Sequence, residues 1–531
     1  MAKQRDKDIP IIDLFAGPGG LGEGFSAFQT PDVRSPFHIA LSIEKEHYAH
    51  QTLTLRAFFR QFPPGKAPEE YYDYLRQADE PEPARRKRLF GVWPAEGERA
   101  EATALLAELG REETAAIRER IRDALDGYGE FILLGGPPCQ AYSVMGRSRN
   151  SGNPNYKATE DKRQRLYVEY LQVLADHHPA VFIMENVKGL LSATLENQRI
   201  FERILDDLRS PCEAVLREYR TLADGRRRTR YNLFAIGCNG NGNAEDLRRF
   251  IVRMEKHGIP QARHRLIILG IRSDLGVEQI PTLPESDPVA ISKVISDLPQ
   301  LRSGLSREED SLSRWRARIA EIRTNAFING HADQQCRKIK AGIFDALKKS
   351  KESDLSRGGE FVRCNPETEY RPDWYVDPKL GGACNHMTRL HIAADLHRYL
   401  YAACYAGMEH RSPDLRDFPA DLLPKHRNAR KSAKDGTFDD RFHVQLPDRP
   451  STTVPSHLAK DGHYFIHPDP CQCRSMTVRE AARLQTFPDN YFFCGPRTAQ
   501  YIQVGNAVPP LLAFQIAASV FDLLKDCGLA K

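Results

Sequence analysis

FILLGGPPCQAYSVMGRSR, Phe131 to Arg149 in a chain of 531 residues, is the stretch on which the reading of the whole protein turns. Phe131 to Leu134 is an apolar run with the length of a short buried strand. Gly135-Gly136-Pro137-Pro138 stops that strand and stiffens the backbone just ahead of Cys139. Small and polar residues follow, among them Ser143, Gly146, Arg147, Ser148 and Arg149. A single thiol therefore stands at the carboxyl end of a strand and at the head of a basic loop. That is where open α/β sheets hold their ligands. A free cysteine is by default a small buried hydrophobe, so the local sequence leaves packing and chemistry open for Cys139.

Composition narrows the field. A hydrophobic share of 41% with 28% charged residues is that of a soluble globular protein with an ample core. The length suits one large elaborated domain or two to three ordinary ones. No apolar run approaches the roughly 20 residues of a membrane helix. The polar start MAKQRDKD lacks a signal-peptide core, so the expected location is the cytoplasm. Eleven cysteines in such a setting are expected to be reduced thiols. Cys471-Gln472-Cys473 resembles half a zinc site, but no second pair stands at a suitable spacing, and no metal is expected. The net charge of +5 permits a nucleic-acid partner without arguing for one.

Working outward, strand-like runs alternate with helical ones. Ile9 to Leu14 leads into Phe15-Ala16-Gly17-Pro18-Gly19-Gly20, and Leu21, Phe25 and Phe28 follow at helical spacing. Strand, glycine-rich turn and helix open a nucleotide-binding α/β unit. A second strand, His38 to Ile43, ends in Glu44, placed to accept hydrogen bonds from ribose hydroxyls. The glycine spacing departs from the dinucleotide fingerprint, which counts against a dehydrogenase. Phe62 to Asp126 reads as an inserted, mostly helical, solvated segment, with Arg85-Arg86-Lys87-Arg88 as a solvated basic face. Asp161 to Asp176 is an amphipathic helix, and Val181 to Met184 is a buried strand ending in Glu185-Asn186. Gln261-x-Arg263-x-Arg265 precedes the strand Leu266 to Ile271. From about Ser273 prolines break the pattern, and a second region runs to about Pro447, with a basic stretch at Lys425 to Lys434 that suits DNA phosphates as well as a solvated loop. Thr477 and Glu480 predict a capping box at the start of TVREAARL, and Leu511 to Leu524 predicts a buried helix. The alternation argues for a mostly parallel sheet covered on both faces. Its strand ends should bring the glycine turn, Cys139 and Glu185 into one crevice. A thiolate beside a carboxylic acid and arginines suits covalent catalysis on an electron-poor ring, and the arginines would lower the thiol's pKa.

These residues resemble the C5-cytosine DNA methyltransferases. DLFAGPGG (Asp13 to Gly20) is similar to that family's cofactor turn, GGPPCQAYS (Gly135 to Ser143) to its nucleophile loop and ENVKGL (Glu185 to Leu190) to its glutamate motif. PQARHR (Pro260 to Arg265), RPSTT (Arg449 to Thr453) and QVGNAVPP (Gln503 to Pro510) are similar to its later motifs, in the family's order. The likeness covers Ile9 to Arg272 and Arg449 to Leu524. It implies a Rossmann-like methyltransferase domain with a smaller inserted target-recognition domain. The implied segments are a catalytic part at residues 1–272 with a helical insertion at about 62–126, a recognition region at 273–448, and C-terminal motifs at 449–531 that return to the catalytic part.

The resemblance also implies roles. Cys139 would add to C6 of a cytosine flipped out of DNA, with Glu185 hydrogen-bonding the ring edge and Arg263 and Arg265 steadying the site. S-adenosyl-L-methionine would sit on Phe15, Ala16, Gly17, Gly19, Gly20 and Leu21. Glu44 would take its ribose, with Pro138, Asn506 and Val508 completing the site. Gln140, Ser143, Arg147 and Arg149 would contact DNA. The family's acidic residue after the third strand, which binds the adenine amino group, is hidden by the insertion. The implied partner is double-stranded DNA in a monomeric, nucleoid-associated protein of a restriction-modification or phage-defence system, with a cognate endonuclease. Two rivals are an RNA cytosine-5 methyltransferase and a non-catalytic DNA-binding homologue. The long variable region counts against the first, and the presence of both Cys139 and Glu185 against the second.

Overall fold

The computed structural model describes residues 8–32, 34–110, 114–138, 162–195, 198–219, 228–237, 246–330, 334–425 and 441–530. They fall into two compact units. The first takes the chain through Lys66, then Phe90–Asp287, then Ala507 onward; the second takes Ala67–Leu89 and Pro288–Asn506.

An eight-stranded sheet organises the first unit. Its strands are β1 (Ile9–Leu14), β2 (Phe37–Glu44), β3 (Ala104–Leu106), β4 (Ile132–Gly135), β5 (Val181–Val187), β6 (Tyr231–Ala235), β7 (Ile251–Arg253) and β8 (His264–Arg272). The spatial order is β3-β2-β1-β4-β5-β8-β6, with β7 also paired to β8. β1 to β5 run parallel to one another. β8 is antiparallel to β5, β6 and β7. The apolar runs form central strands because both faces are covered: Ile11, Ile12, Leu14, Leu133, Leu134 and Phe182 are all at 0% exposure. Each such side chain contributes about 1.5–3 kcal/mol by leaving water. Pro10 is tolerated in a central strand because pairing with β4 begins only at Ile11.

Helix α1 (Gly20–Ala27) packs on the C-terminal helix Pro510–Asp526, and glycines let the backbones meet. A Cβ at Gly24 would stand 2.3 Å from the Pro510 carbonyl oxygen and 2.4 Å from the Phe514 nitrogen. Gly24→Ala is therefore expected to destabilise the first unit by about 1–3 kcal/mol or more, read as a lowered urea midpoint; an unchanged midpoint would refute this packing. Among the described residues Arg497–Asp526 is the one stretch apolar and long enough to cross a membrane, and 78% of its most apolar window is buried inside the protein.

The inserted segment departs from the sequence reading. It is helical at Glu69–Arg76, Glu82–Val92, Pro94–Thr103 and Thr114–Ala124, but between the last two lies β3, the edge strand of the main sheet. Three residues, ALL, carry too little periodicity to stand out from helix-forming neighbours. Nor is the segment simply solvated. Tyr71, Tyr72, Tyr74 and Leu75 are buried, and Arg85, expected on a solvated basic face, is 1% exposed. The reason is tertiary: Arg85 donates to the Tyr74 carbonyl at 2.9 Å and pairs with Glu360.

The second unit has its own core, built from Trp315, Ile343, Leu396 and Tyr399 on the helices Leu312–Ala320, Gln334–Glu352 and Ala393–Glu409. A hairpin pairs Gly358–Arg363 with Gly382–Met387. The helix Val478–Leu484 opens on the expected capping box: Thr477 accepts from the Glu480 amide at 3.2 Å, and Glu480 accepts from the Thr477 amide at 2.7 Å. The expected boundaries at 272/273 and 448/449 differ from this packing. Residues 288–506 cohere as one body with 67–89, so the stretch 449–506 groups with the second unit.

Candidate active site

The turn after β1 is held in an uncommon backbone. Phe15, Gly17 and Gly19 have φ of 55°, 58° and 93°, the left-handed region. For glycine this costs nothing, but for Phe15 it costs roughly 1–2 kcal/mol. Strain of that kind persists where the surroundings over-determine it, and it gathers at ligand clamps. The turn is tied to the end of β2 through Glu44, which is 8% exposed. Its carboxylate accepts from the amides of Gly17, Lys45 and Glu46, each at 2.8 Å. Burial nevertheless raises the Glu44 pKa, against those three hydrogen bonds.

Asp13, the last but one residue of β1, lies below this turn and is 1% exposed. Its Oδ1 has no hydrogen-bond partner among the described residues. Burial pushes its pKa up to about 7, opposed by the Arg60 guanidinium and reinforced by Glu44. A strained turn, a clamped carboxylate and an unsatisfied buried acceptor together fit the polar end of a nucleoside-bearing ligand. Arg56 and Arg60 both pair with the buried Glu23 of α1, and their charges hold its carboxyl down to about 2 despite desolvation. Glu23, Arg56 and Arg60 were invisible as a group in the sequence, being 33 and 37 residues apart.

The expected cofactor residues divide. Phe15, Ala16 and Gly17 are half-buried at the turn, whereas Gly19, Gly20 and Leu21 are buried. Gly20 faces Val508: a Cβ there would stand 2.2 Å from the Val508 carbonyl oxygen. Those two residues meet each other, joining α1 to the C-terminal segment. Asn506 is exposed at the end of the helix Arg497–Asn506, in the second unit. The hidden third strand is β3, and the first acidic residue after it is Glu108, paired with Lys45 at 3.5 Å.

At the neighbouring strand ends, β4 and β5 run parallel with Gly135 beside Met184. The backbone leaving β4 passes directly over Glu185: a Cβ at Gly136 would stand 3.2 Å from its Oε2. Asn186 donates through Nδ2 to the Pro137 carbonyl at 3.0 Å, and its Oδ1 accepts from the Val187 amide at 2.8 Å. In the sequence Asn186 is simply the residue after Glu185 at a strand end. It is also the clamp on the proline turn, a role that needs the fold to bring residues 49 apart together. Pro138 is half-buried and is the last described residue before the loop. Cys139, Gln140, Ser143, Arg147 and Arg149 lie outside the described residues, as does most of the basic stretch Lys425 to Lys434.

The arginines reach this edge because β8 is antiparallel. The first residues of β8 stand where β5 ends, with Arg265 opposite Val187 and Ile267 opposite Glu185. Arg265 Nε pairs with Glu185 Oε1 at 3.0 Å, each side chain being 15% exposed. Alternation along the chain buries Gln261 and Arg263 while Ala262 faces out. Arg263 is 2% exposed, and burial beside Arg265 disfavours its charge, with Glu185 acting in its favour. Burial likewise lowers the Arg265 pKa, opposed by Glu185. His264, between them, takes no part: its Nε2 meets Glu255 at 2.8 Å. The result is a carboxyl group held by a guanidinium beside a proline turn, an arrangement able to hydrogen-bond a polar ring edge. Among the described residues no cluster of ligating side chains could hold a metal ion.

The family model described as C-5 cytosine-specific DNA methylase matches residues 114–211 and 249–522. The chain is similar to the type II methyltransferase M.Bpa9945I of Bacillus paralicheniformis, 30% identical over 97% of this chain and 99% of that one. It is also similar to the type II methyltransferase M.DdeI of Desulfomicrobium norvegicum, 23% identical over 98% and 90%. The DNA (cytosine-5-)-methyltransferase M.ApeKI of Aeropyrum pernix is 26% identical over 75% and 83%. The matched residues include Glu185, both arginines and the proline turn, so the geometry and the likeness fall on the same strand ends. The chain belongs to the C-5 cytosine-specific DNA methylase family.

Proposed function

We propose that this enzyme methylates C5 of a cytosine flipped out of a specific double-stranded DNA sequence, through a transient covalent bond to Cys139. One observation carries the reading: Arg265 clasps Glu185 at the strand end over which Gly136 and Pro137 pass, immediately before Cys139. S-adenosyl-L-methionine, on Phe15 to Leu21 with its ribose at Glu44, supplies an electrophilic methyl group. Cys139 thiolate forms a bond from sulfur to C6, and the ring's electron pair moves toward C5. Glu185 hydrogen-bonds N3 and the exocyclic amino group, which makes the ring a better acceptor of the thiolate. C5 then takes the methyl group, the donor's methyl–sulfonium bond breaking to leave a neutral thioether. C5 gives up its proton to water, the electron pair returns, the bond from sulfur to C6 breaks, and Cys139 leaves as thiolate. Arg265 orients Glu185, and Arg263, buried beside it, helps to steady the site. Gln140, Ser143, Arg147 and Arg149 close on the DNA, and Glu108, the first acidic residue after β3, is the candidate for the adenine amino group.

In this reading the second unit contains the target-recognition region. The protein acts as a monomer in the cytoplasm, on the nucleoid, as the modification half of a restriction-modification system with a cognate endonuclease. Type II methyltransferase relatives support that assignment. Nanopore or bisulfite sequencing of DNA from cells expressing the protein tests it: 5-methylcytosine should appear in one short sequence context. Methylcytosine confined to RNA would favour the RNA rival instead. Exchanging residues 280–440 for those of a relative should move the methylated context. An unmoved context in an active chimera would refute the recognition region.

A further inference from the structure

The segment Ala67–Leu89 lies in sequence between β2 and β3 of the first unit, yet it packs as part of the second. Its helix Glu69–Arg76 is fastened to one loop. Tyr72 donates to Asp377 Oδ2 at 2.8 Å, and Arg76 donates to the Leu380 carbonyl at 3.2 Å and to the Lys379 carbonyl. Lys379 answers by donating to the Ala67 carbonyl at 3.4 Å. The following helix holds the adjoining hairpin. Arg85, buried against Tyr74 and Phe492, pairs with Glu360 on the strand Gly358–Arg363. Tyr71 adds a hydrogen bond to the Asn490 carbonyl at 3.2 Å. The loop and the two hairpin strands, residues 358–387, are thus braced from one side by a piece of chain that the motif order assigns elsewhere.

Resting on the reading of the second unit as the recognition region, we infer that Ala67–Leu89 is a positioning element for target choice. It sets the conformation of the 377–380 loop and the Gly358–Arg363 strand, and so the stringency with which a DNA sequence is accepted. Buried, hydrogen-bonded bracing is what sets the orientation of groups that read base edges. A loop displaced by about 1 Å no longer presents its donors and acceptors to base edges in register, so discrimination between neighbouring sequences falls.

The test uses the full chain and a randomised DNA library. Tyr72→Phe keeps the ring, and Asp377 keeps its bonds from Asn490 at 2.7 Å and the Lys379 amide at 3.0 Å, so folding is spared. Arg76→Met keeps the stem and removes both carbonyl contacts. Each should raise methylation of near-cognate relative to cognate sites about fivefold, the effect of one net hydrogen bond, with KM for the methyl donor unchanged. Arg88→Ala on the same segment, where Arg88 bonds to half-buried Glu80 and exposed Gln77, should leave that ratio unchanged. An unchanged ratio in Tyr72→Phe and Arg76→Met would overturn the inference, as would a raised KM for the methyl donor alone. A second comparison separates this from failure of the underlying reading. A chimera exchanging 280–440 together with 67–89 should be more selective for the new context than one exchanging 280–440 alone. If 280–440 moves the context but adding 67–89 changes nothing, the inference fails and the recognition reading stands.

Discussion

Cys139→Ser is expected to abolish methyl transfer while leaving S-adenosyl-L-methionine binding intact. In the proposed mechanism the thiolate is the nucleophile, and a free thiol with a pKa of about 8.5 is roughly a tenth ionised at pH 7.5. A serine hydroxyl offers almost no alkoxide at that pH. The expected loss is at least about 10³-fold, roughly 4 kcal/mol of transition-state stabilisation. The cofactor turn stands on other residues, Phe15 to Gly17 held by Glu44, so equilibrium binding of the methyl donor should be unchanged. Tritium transfer to cognate duplex measures the first quantity and calorimetry the second. Turnover near the parent rate would remove the covalent mechanism. Lost donor binding would mean that the variant had disturbed the fold.

Glu185→Gln is the second large expectation. The amide has nearly the same volume, so the strand should keep its register against β8 and Arg265 should keep an acceptor oxygen. What is lost is a group that can carry a proton to the ring edge while N3 accumulates charge. Acid–base assistance of this kind is worth about 10²–10⁴-fold. We expect kcat to fall by that factor with DNA affinity preserved, because phosphate contacts dominate affinity. Single-turnover rates at saturating DNA give the first number and fluorescence anisotropy the second. An unchanged rate would strike Glu185 from the catalytic set; loss of binding without loss of rate would reassign it to base recognition.

Much of this site was legible along the chain because its parts are local. A glycine turn, a proline-stiffened cysteine, a glutamate at a strand end and paired arginines each show in fewer than ten residues. The alternation of strand and helix is likewise a nearest-neighbour property. The capping box at Thr477 and Glu480 was readable for the same reason, since both bonds span three residues. Misjudged positions were those whose state depends on distant partners. Arg85 looks solvated in RRKR but is buried against Tyr74 and Phe492 and paired with Glu360, 275 residues away. β3 looks helical because a three-residue edge strand takes its identity from hydrogen bonds to β2.

The sequence alone determined the family motifs, and with them the groups proposed to attack, acidify and hold a nucleotide, and that a largely parallel sheet carries them. Only the tertiary structure decided how they are assembled. Antiparallel β8 brings Arg265 to Glu185, Asn186 clamps the proline turn, and Gly20 and Val508 face each other instead of forming a surface. It also decided that Ala67–Leu89 belongs with the second unit. The physical reason is range. Backbone propensity and side-chain chemistry act within a few residues, whereas burial and pairing are settled by segments that meet only after the chain has folded.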